Sequence, residues 1–138
     1  MPQVLIIGDG GVGKTSLINK RFNQMFQNKY ITTYGIQIRN NGDYTIYDFP
    51  GQEKYYELDD IDLTHIDNCI IMYDCTNKLS YKNISFWKKK LFEICPDIKP
   101  IIVGNKIDQP SLKIVDDKSI NISVRTGLNM DKVFNSLV

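Results

Sequence analysis

The sequence has no alanine at all, one histidine and one tryptophan in 138 residues. Isoleucine, asparagine, lysine and tyrosine are abundant instead, so the missing alanine reads as a bias of the coding genome and not as chemistry. The lone His65 lies in a polar segment and reads as a surface residue, not a general base. Only three cysteines occur, Cys69, Cys75 and Cys95, with neither C-x-x-C nor zinc spacing. Free thiols in a reducing compartment are expected. Long apolar runs are also missing. Nothing approaches the ~20 residues that cross a bilayer, and residues 4–7 are too short for the core of a signal peptide. Pro2 excludes N-myristoylation, and the absence of a terminal cysteine excludes prenylation. Charge of one sign is lacking too. The formal net charge of +1 gives no reason to expect a general nucleic-acid or membrane surface. A soluble, unanchored cytoplasmic or nuclear protein is expected.

What is present suits one domain over residues 1–138, with 42% apolar and 24% charged residues. Apolar runs alternate with helical patterns. Residues 4–7 predict a buried strand, and 14–26 a helix with Leu17, Ile18, Phe22 and Met25 at helical spacing. Residues 36–39 and 44–49 predict a hairpin around Asn40-Asn41-Gly42, with Arg39 facing Asp43 and Ile36 facing Ile46. The acidic residues 53–66 read as a loop running into a helix. Further buried strands are predicted at 69–73, 101–103 and 120–124. Ser80 is a candidate cap for a helix that turns Ile84, Trp87, Leu91 and Ile94 inward and stops at Pro96. Met130, Val133, Phe134 and Leu137 mark a closing helix. The alternation predicts an α/β fold with a mostly parallel sheet of about six strands and helices on both faces. Only residues 109–118 join the fifth strand to the last. A βαβ connection needs about 10–12 residues, so the helix before the last strand should be reduced or missing.

Two motifs carry chemistry. Gly8-Asp9-Gly10-Gly11-Val12-Gly13-Lys14-Thr15 fits G-x-x-x-x-G-K-[ST] between a strand and a helix. The glycines let the backbone wrap a phosphate chain and aim successive N–H groups at it, and the helix N-terminus adds its positive end. Lys14 would reach the β- and γ-phosphates, Thr15 would bind Mg²⁺, and Ser16 would donate to the α-phosphate. Asn105-Lys106-Ile107-Asp108 follows a strand at its carboxyl end, where such sheets bind ligands. A carboxylate at Asp108 accepts the ring N1–H and the exocyclic amine of guanine together. Adenine, with an acceptor at N1, would be rejected. Asn105 could bond the far edge of the base, and the Lys106 stem could lie along the ring. Asp48, in Asp48-Phe49-Pro50-Gly51-Gln52, stands where a strand-end carboxylate would approach the metal. Thr33 is a further candidate for the metal shell.

In this order the motifs resemble the Ras superfamily of small GTPases, and the 69–74 strand and Tyr81-Lys82-Asn83 with Trp87 look most like its Ran branch. The resemblance implies a guanine-nucleotide switch that hydrolyses GTP to GDP slowly with Mg²⁺, and it adds roles. Phe26 would pack edge-on against guanine and Tyr30 would fold over the phosphates. Thr33 would bind Mg²⁺ in the GTP state only, and Asp48 would hold it through a water. The Gly51 N–H would bond the γ-phosphate, and Gln52 would orient the attacking water. Ser123-Val124-Arg125 would offer backbone N–H groups to the guanine oxygen. An exchange factor, an activating protein and effectors are the implied partners, with a monomer expected.

Three features depart from the family pattern. Phe49-Pro50 replaces the usual Thr-Ala between Asp48 and Gly51. Pro50 removes its own N–H, spares that of Gly51, and stiffens the turn. The hairpin and the 108–123 segment are much shorter than in Ran. One alternative is a nucleotide-bound interaction module with little turnover. Another is a small-substrate P-loop kinase, against which the guanine loop argues.

Overall fold

The computed structural model describes residues 2–22, 27–31, 37–40, 44–48, 65–110 and 113–137. The centre of the molecule is set by two apolar runs. Strand β1 (Gln3–Gly8) and strand β5 (Asn68–Asp74) pair in parallel, Leu5 opposite Cys69 and Ile7 opposite Ile71. Alternate residues of each strand feed opposite cores, as the period of 2 requires. Val4, Ile6, Ile70 and Met72 enter one core, and Leu5, Ile7, Cys69, Ile71 and Tyr73 enter the other. A parallel strand covered on both faces needs such unbroken apolar runs.

Around this pair stand β2 (Gln27–Ile31), β3 (Gln37–Asn40), β4 (Thr45–Asp48), β6 (Ile101–Asn105) and β7 (Ile120–Asn121), in the order β2-β3-β4-β1-β5-β6-β7. The six expected strands are all present. The seventh, β2, is an edge strand that pairs antiparallel with β3. Its Gln-Asn-Lys-Tyr-Ile sequence carries no alternating apolar signal.

Helix α1 (Lys14–Phe22) and helix α4 (Met130–Asn135) cover the first core through Leu17, Ile18, Val133 and Phe134. Helix α3 (Ile84–Ile94) covers the second through Ile84, Trp87 and Leu91. A short α2 (Lys78–Lys82) precedes it. Its cap is Asn77, not Ser80. The Asn77 side chain accepts from the Leu79 and Ser80 N–H groups at 3.0 and 3.2 Å. The chain turns immediately after β5, so the helix starts earlier than the apolar spacing indicates. Ser80 is buried inside it, accepting from the Asp74 N–H at 2.9 Å and donating to the Asn77 carbonyl at 2.8 Å.

The hairpin register is also different from the expectation. Arg39 faces Ile46 and Ile38 faces Tyr47. Pairing Ile38 with Tyr47 puts both on the α3 side, where each packs against the second core. Burial on that face outweighs the charge match of Arg39 with Asp43. Arg39 is instead buried on the other face, donating to Asn19 Oδ1 of α1 at 2.7 Å.

Between β6 and β7 the described residues hold turns and an extended stretch but no helix, as the short connection demands. The stretch is pinned where the Ile114 N–H donates to the Cys75 carbonyl at 2.8 Å and the Tyr81 hydroxyl donates to Asp116 Oδ2 at 2.8 Å. It leaves Ile102 half-buried in a groove of about 580 Å³ beside Phe92 and Lys118. The three cysteines are buried free thiols. No helix among the described residues is long and apolar enough to cross a membrane.

Candidate functional site

The loop between β1 and α1 wraps around the Lys14 ammonium. Lys14 Nζ donates to the Gly8 carbonyl at 2.9 Å and the Asp9 carbonyl at 2.7 Å. Only 4% of Lys14 is exposed. Desolvation holds its pKa down to about 8, against the pull of the Asp48 and Asp9 carboxylates. A buried ammonium in the first turn of α1 has the charge and the placement to take an anion.

Next to it, the Thr15 hydroxyl donates to Asp48 Oδ2 at 2.7 Å. Asp48 Oδ1 is buried with no hydrogen-bond partner among the described residues. Desolvation raises the Asp48 pKa, opposed by the Thr15 hydrogen bond and by the charges of Arg39 and Lys14. A buried, unsatisfied carboxylate oxygen beside a hydroxyl fits a hard divalent cation with oxygen ligands. Mg²⁺, which keeps waters and takes one or two carboxylates plus phosphates, suits this donor set. No cluster of three or more His, Cys, Asp or Glu is gathered among the described residues.

The second half of the site grows from the end of β6. Asn105 is 3% exposed, and its amide is engaged at both ends. Nδ2 donates to the Val12 carbonyl at 2.9 Å, and Oδ1 accepts from the Val124 N–H at 3.0 Å. A Cβ on Gly13, whose φ is +105°, would stand 2.4 Å from Nδ2, so glycine is what lets the two loops meet. Lys106 adopts the left-handed region at φ 69°, a strained backbone for a lysine. It thereby places Nζ 3.0 Å from Asp74 Oδ2 and 3.2 Å from the Gly11 carbonyl. Asp74 lies below the usual carboxylate range. Burial pushes it up, but the Thr76 hydroxyl and N–H and the Lys106 ammonium outweigh that. Asp108 is oriented by the Ser123 hydroxyl, which donates to Oδ1 at 2.7 Å, while the exposed Arg125 guanidinium lies 3.7 Å from Oδ2.

Two adjoining cavities follow this arrangement. One of about 210 Å³ is lined by Gly11, Gly13, Lys14, Thr15 and Ser16. The other, of about 320 Å³, shares Gly11, Gly13 and Ser16 and extends along Asn105, Lys106, Asp108, Val124 and Arg125. Gly10 is exposed at the turn of the loop. Phe26, Thr33, Gly51 and Gln52, with Pro50, lie outside the described residues, and Tyr30 is placed only as backbone within β2.

Three further participants belong to neither motif. Asp74 anchors Lys106. Asn83 Nδ2 donates to Asp9 Oδ2 at 2.6 Å, and Trp87 Nε1 donates to Asp9 Oδ1 at 2.9 Å. Trp87 is core, as its spacing indicates, and is also a donor to the loop. The available signal was the i, i+4 spacing of Asn83 and Trp87, which puts both donors on one helix face. The Ras family model matches residues 3–138, nearly the whole chain. With that match, and with a P-loop α/β fold built around these two joined loops, the chain belongs to the Ras family of small, GTP-binding switch proteins.

Proposed function

We propose that this protein binds GTP and GDP with Mg²⁺, hydrolyses GTP slowly, and acts as a Ran-like molecular switch. The observation that carries the reading is the joining of two loops. Asn105 and Lys106 reach the Val12 and Gly11 carbonyls, so a base bound beside Asp108 and phosphates bound at Lys14 belong to one ligand. The Ser123 hydroxyl fixes one Asp108 oxygen, and the carboxylate keeps lone pairs for the guanine N1–H and amine. Ser123-Val124-Arg125 would offer backbone N–H groups to the guanine oxygen, and the Asn105 amide oxygen orients this turn through the Val124 N–H.

On the phosphate side, the N–H groups of residues 10–16 cradle the anion and Lys14 meets the β- and γ-phosphates. Thr15 and Asp48, joined by Thr33, would hold Mg²⁺, which supplies charge neutralisation between those phosphates. Phe26 and Tyr30 pack against the nucleotide, the Gly51 N–H bonds the γ-phosphate, and Gln52 orients the water. Tyr81-Lys82-Asn83 with Trp87 supports the Ran-like branch. Release of Thr33 and Gly51 on hydrolysis would switch the surface offered to an exchange factor, an activating protein and effectors.

The test is chromatography of the nucleotide released when purified protein is denatured, followed by single-turnover hydrolysis. GDP or GTP should be found, and Gln52→Leu should slow GTP loss. Equal rates in both proteins would favour a binding module without turnover. Equal affinity for ATP and GTP would overturn the guanine assignment.

A further inference from the structure

We propose that helix α3 holds the phosphate loop in place through Asp9, with Asn83 and Trp87 acting as positioning residues that slow nucleotide release. The inference rests on the guanine-nucleotide reading above and adds a control element outside the nucleotide-contacting motifs. Asp9 connects two sets of contacts. Its carboxylate takes the Asn83 amide on Oδ2 at 2.6 Å and the Trp87 indole on Oδ1 at 2.9 Å. Its main-chain carbonyl takes the Lys14 ammonium at 2.7 Å. Helix α3 therefore reaches the phosphate-binding lysine through one residue.

Three observations favour a positioning role over simple satisfaction of a buried indole. First, Asn83 joins α2 to α3 in a right-handed helical conformation and makes no side-chain cap, so its amide serves the loop and not the helix end. Second, Trp87 is fully buried among α3 and sheet residues, so its N–H is delivered by a rigid support. Third, Asp9 carries a negative charge inside a loop that must accept a polyanion. Two donors fix that carboxylate on the α3 side and spread its charge. Without them it could swing and repel phosphate, and the Lys14 contact to the Asp9 carbonyl would loosen.

The test follows release of fluorescently labelled GDP into excess unlabelled GDP, with Mg²⁺ present. Trp87→Phe and Asn83→Leu should each speed release about tenfold, the scale of one charge-assisted hydrogen bond. Asp9→Ala should speed it less, because it unties the loop from α3 but also removes the charge that repels phosphate. In the Asp9→Ala background, Trp87→Phe should change the rate by less than about twofold, because its effect passes through Asp9. Packing alone predicts the opposite, namely the same factor for Trp87→Phe with or without Asp9. That result, or unchanged release in both single variants, would overturn the inference. If Trp87→Phe fails to fold, Asn83→Leu alone and with Asp9→Ala decides the same comparison. A wild-type protein that retains no labelled GDP would instead overturn the guanine reading itself, and this inference with it.

Discussion

Replacing Asn105 with alanine should unlatch the phosphate loop from the base loop. The Asn105 amide is the direct side-chain tie between Val12 and Val124, at 2.9 and 3.0 Å, and all three residues are buried. Removing it strands one carbonyl and one N–H. Each stranded buried group costs about 1–3 kcal/mol. Water entering the space left by the side chain would recover part of this, so the net loss is about 3 kcal/mol. That is a large share of the ~5–15 kcal/mol that holds a domain together. At roughly 3 °C per kcal/mol for a chain of this size, the melting temperature should fall by about 10 °C. Circular dichroism melts of nucleotide-free protein measure it. Asn105→Asp is the sharper control. It keeps the acceptor for the Val124 N–H but turns a carboxylate oxygen towards the Val12 carbonyl. It should therefore be at least as damaging at neutral pH and should recover on acidification, when its hydroxyl can donate to Val12. A shift below about 2 °C for Asn105→Ala, or no recovery of Asn105→Asp in acid, would refute the reasoning.

Two glycines of the phosphate loop should separate by chemical denaturation. Gly11→Ala meets nothing within 4 Å among the described residues and suffers only the positive φ, a loss of about 1–2 kcal/mol, whereas Gly13→Ala must also displace Asn105 and should cost about 3 kcal/mol or more. Asp48→Asn should raise the melting temperature of the nucleotide-free protein by a few degrees, since it removes a desolvated carboxylate, yet abolish the acceleration of GDP release by EDTA. A melt that falls, or release still sensitive to EDTA, would contradict the metal assignment. Tyr81→Phe should weaken the pinning of the 113–119 segment. The Lys118 N–H, then the Tyr81 hydroxyl, hold Asp116 below the usual carboxylate range, so this contribution is present above that range and is lost as pH falls through the lowered value. The melts of wild type and variant should differ at neutral pH and converge in acid.

The central strands were legible because both faces of β1 and β5 are buried, which leaves an uninterrupted apolar run in the sequence. The phosphate loop was legible for a different reason. Wrapping a backbone around phosphate forces glycine at fixed spacing, and Gly13 shows the steric cause in its approach to Asn105. The hairpin register was not legible, since local charge pairing cannot reveal that Ile38 and Tyr47 share a distant core. Nor was β2, whose pairing is backbone chemistry at a sheet edge. The ties of Asn83 and Trp87 to Asp9 were hidden because they span 74 and 78 residues, and because a buried tryptophan at helical spacing already has a sufficient explanation as core.

The crossover between β6 and β7, which holds no helix among its described residues, bears on the covering of the sheet and not on the site. Strand β7 has two residues, yet the chain beyond it is fixed against β6 without help from a crossover helix. The Ile122 N–H donates to the Gly104 carbonyl at 2.7 Å, and the Ile107 N–H returns to the Ile122 carbonyl at 3.1 Å. Asn129 Nδ2 then holds the Asn121 carbonyl at 2.8 Å, from the residue that begins α4. Ser123 is thus delivered to Asp108, and Val124 to Asn105, by backbone contacts on the β6 side and by α4. The helix that would lie over Ile102 contributes to none of these. Shortening the crossover therefore opens a groove on the α3 face while leaving the geometry around Asp108 intact. It follows that changes in the groove, such as Lys118→Glu, should alter nucleotide affinity little, whereas changes at Asn129, further from the groove but tied to the 121–124 turn, should weaken it. If Lys118→Glu lowered GDP affinity as much as Asn129→Ala did, the separation of groove from site would be wrong.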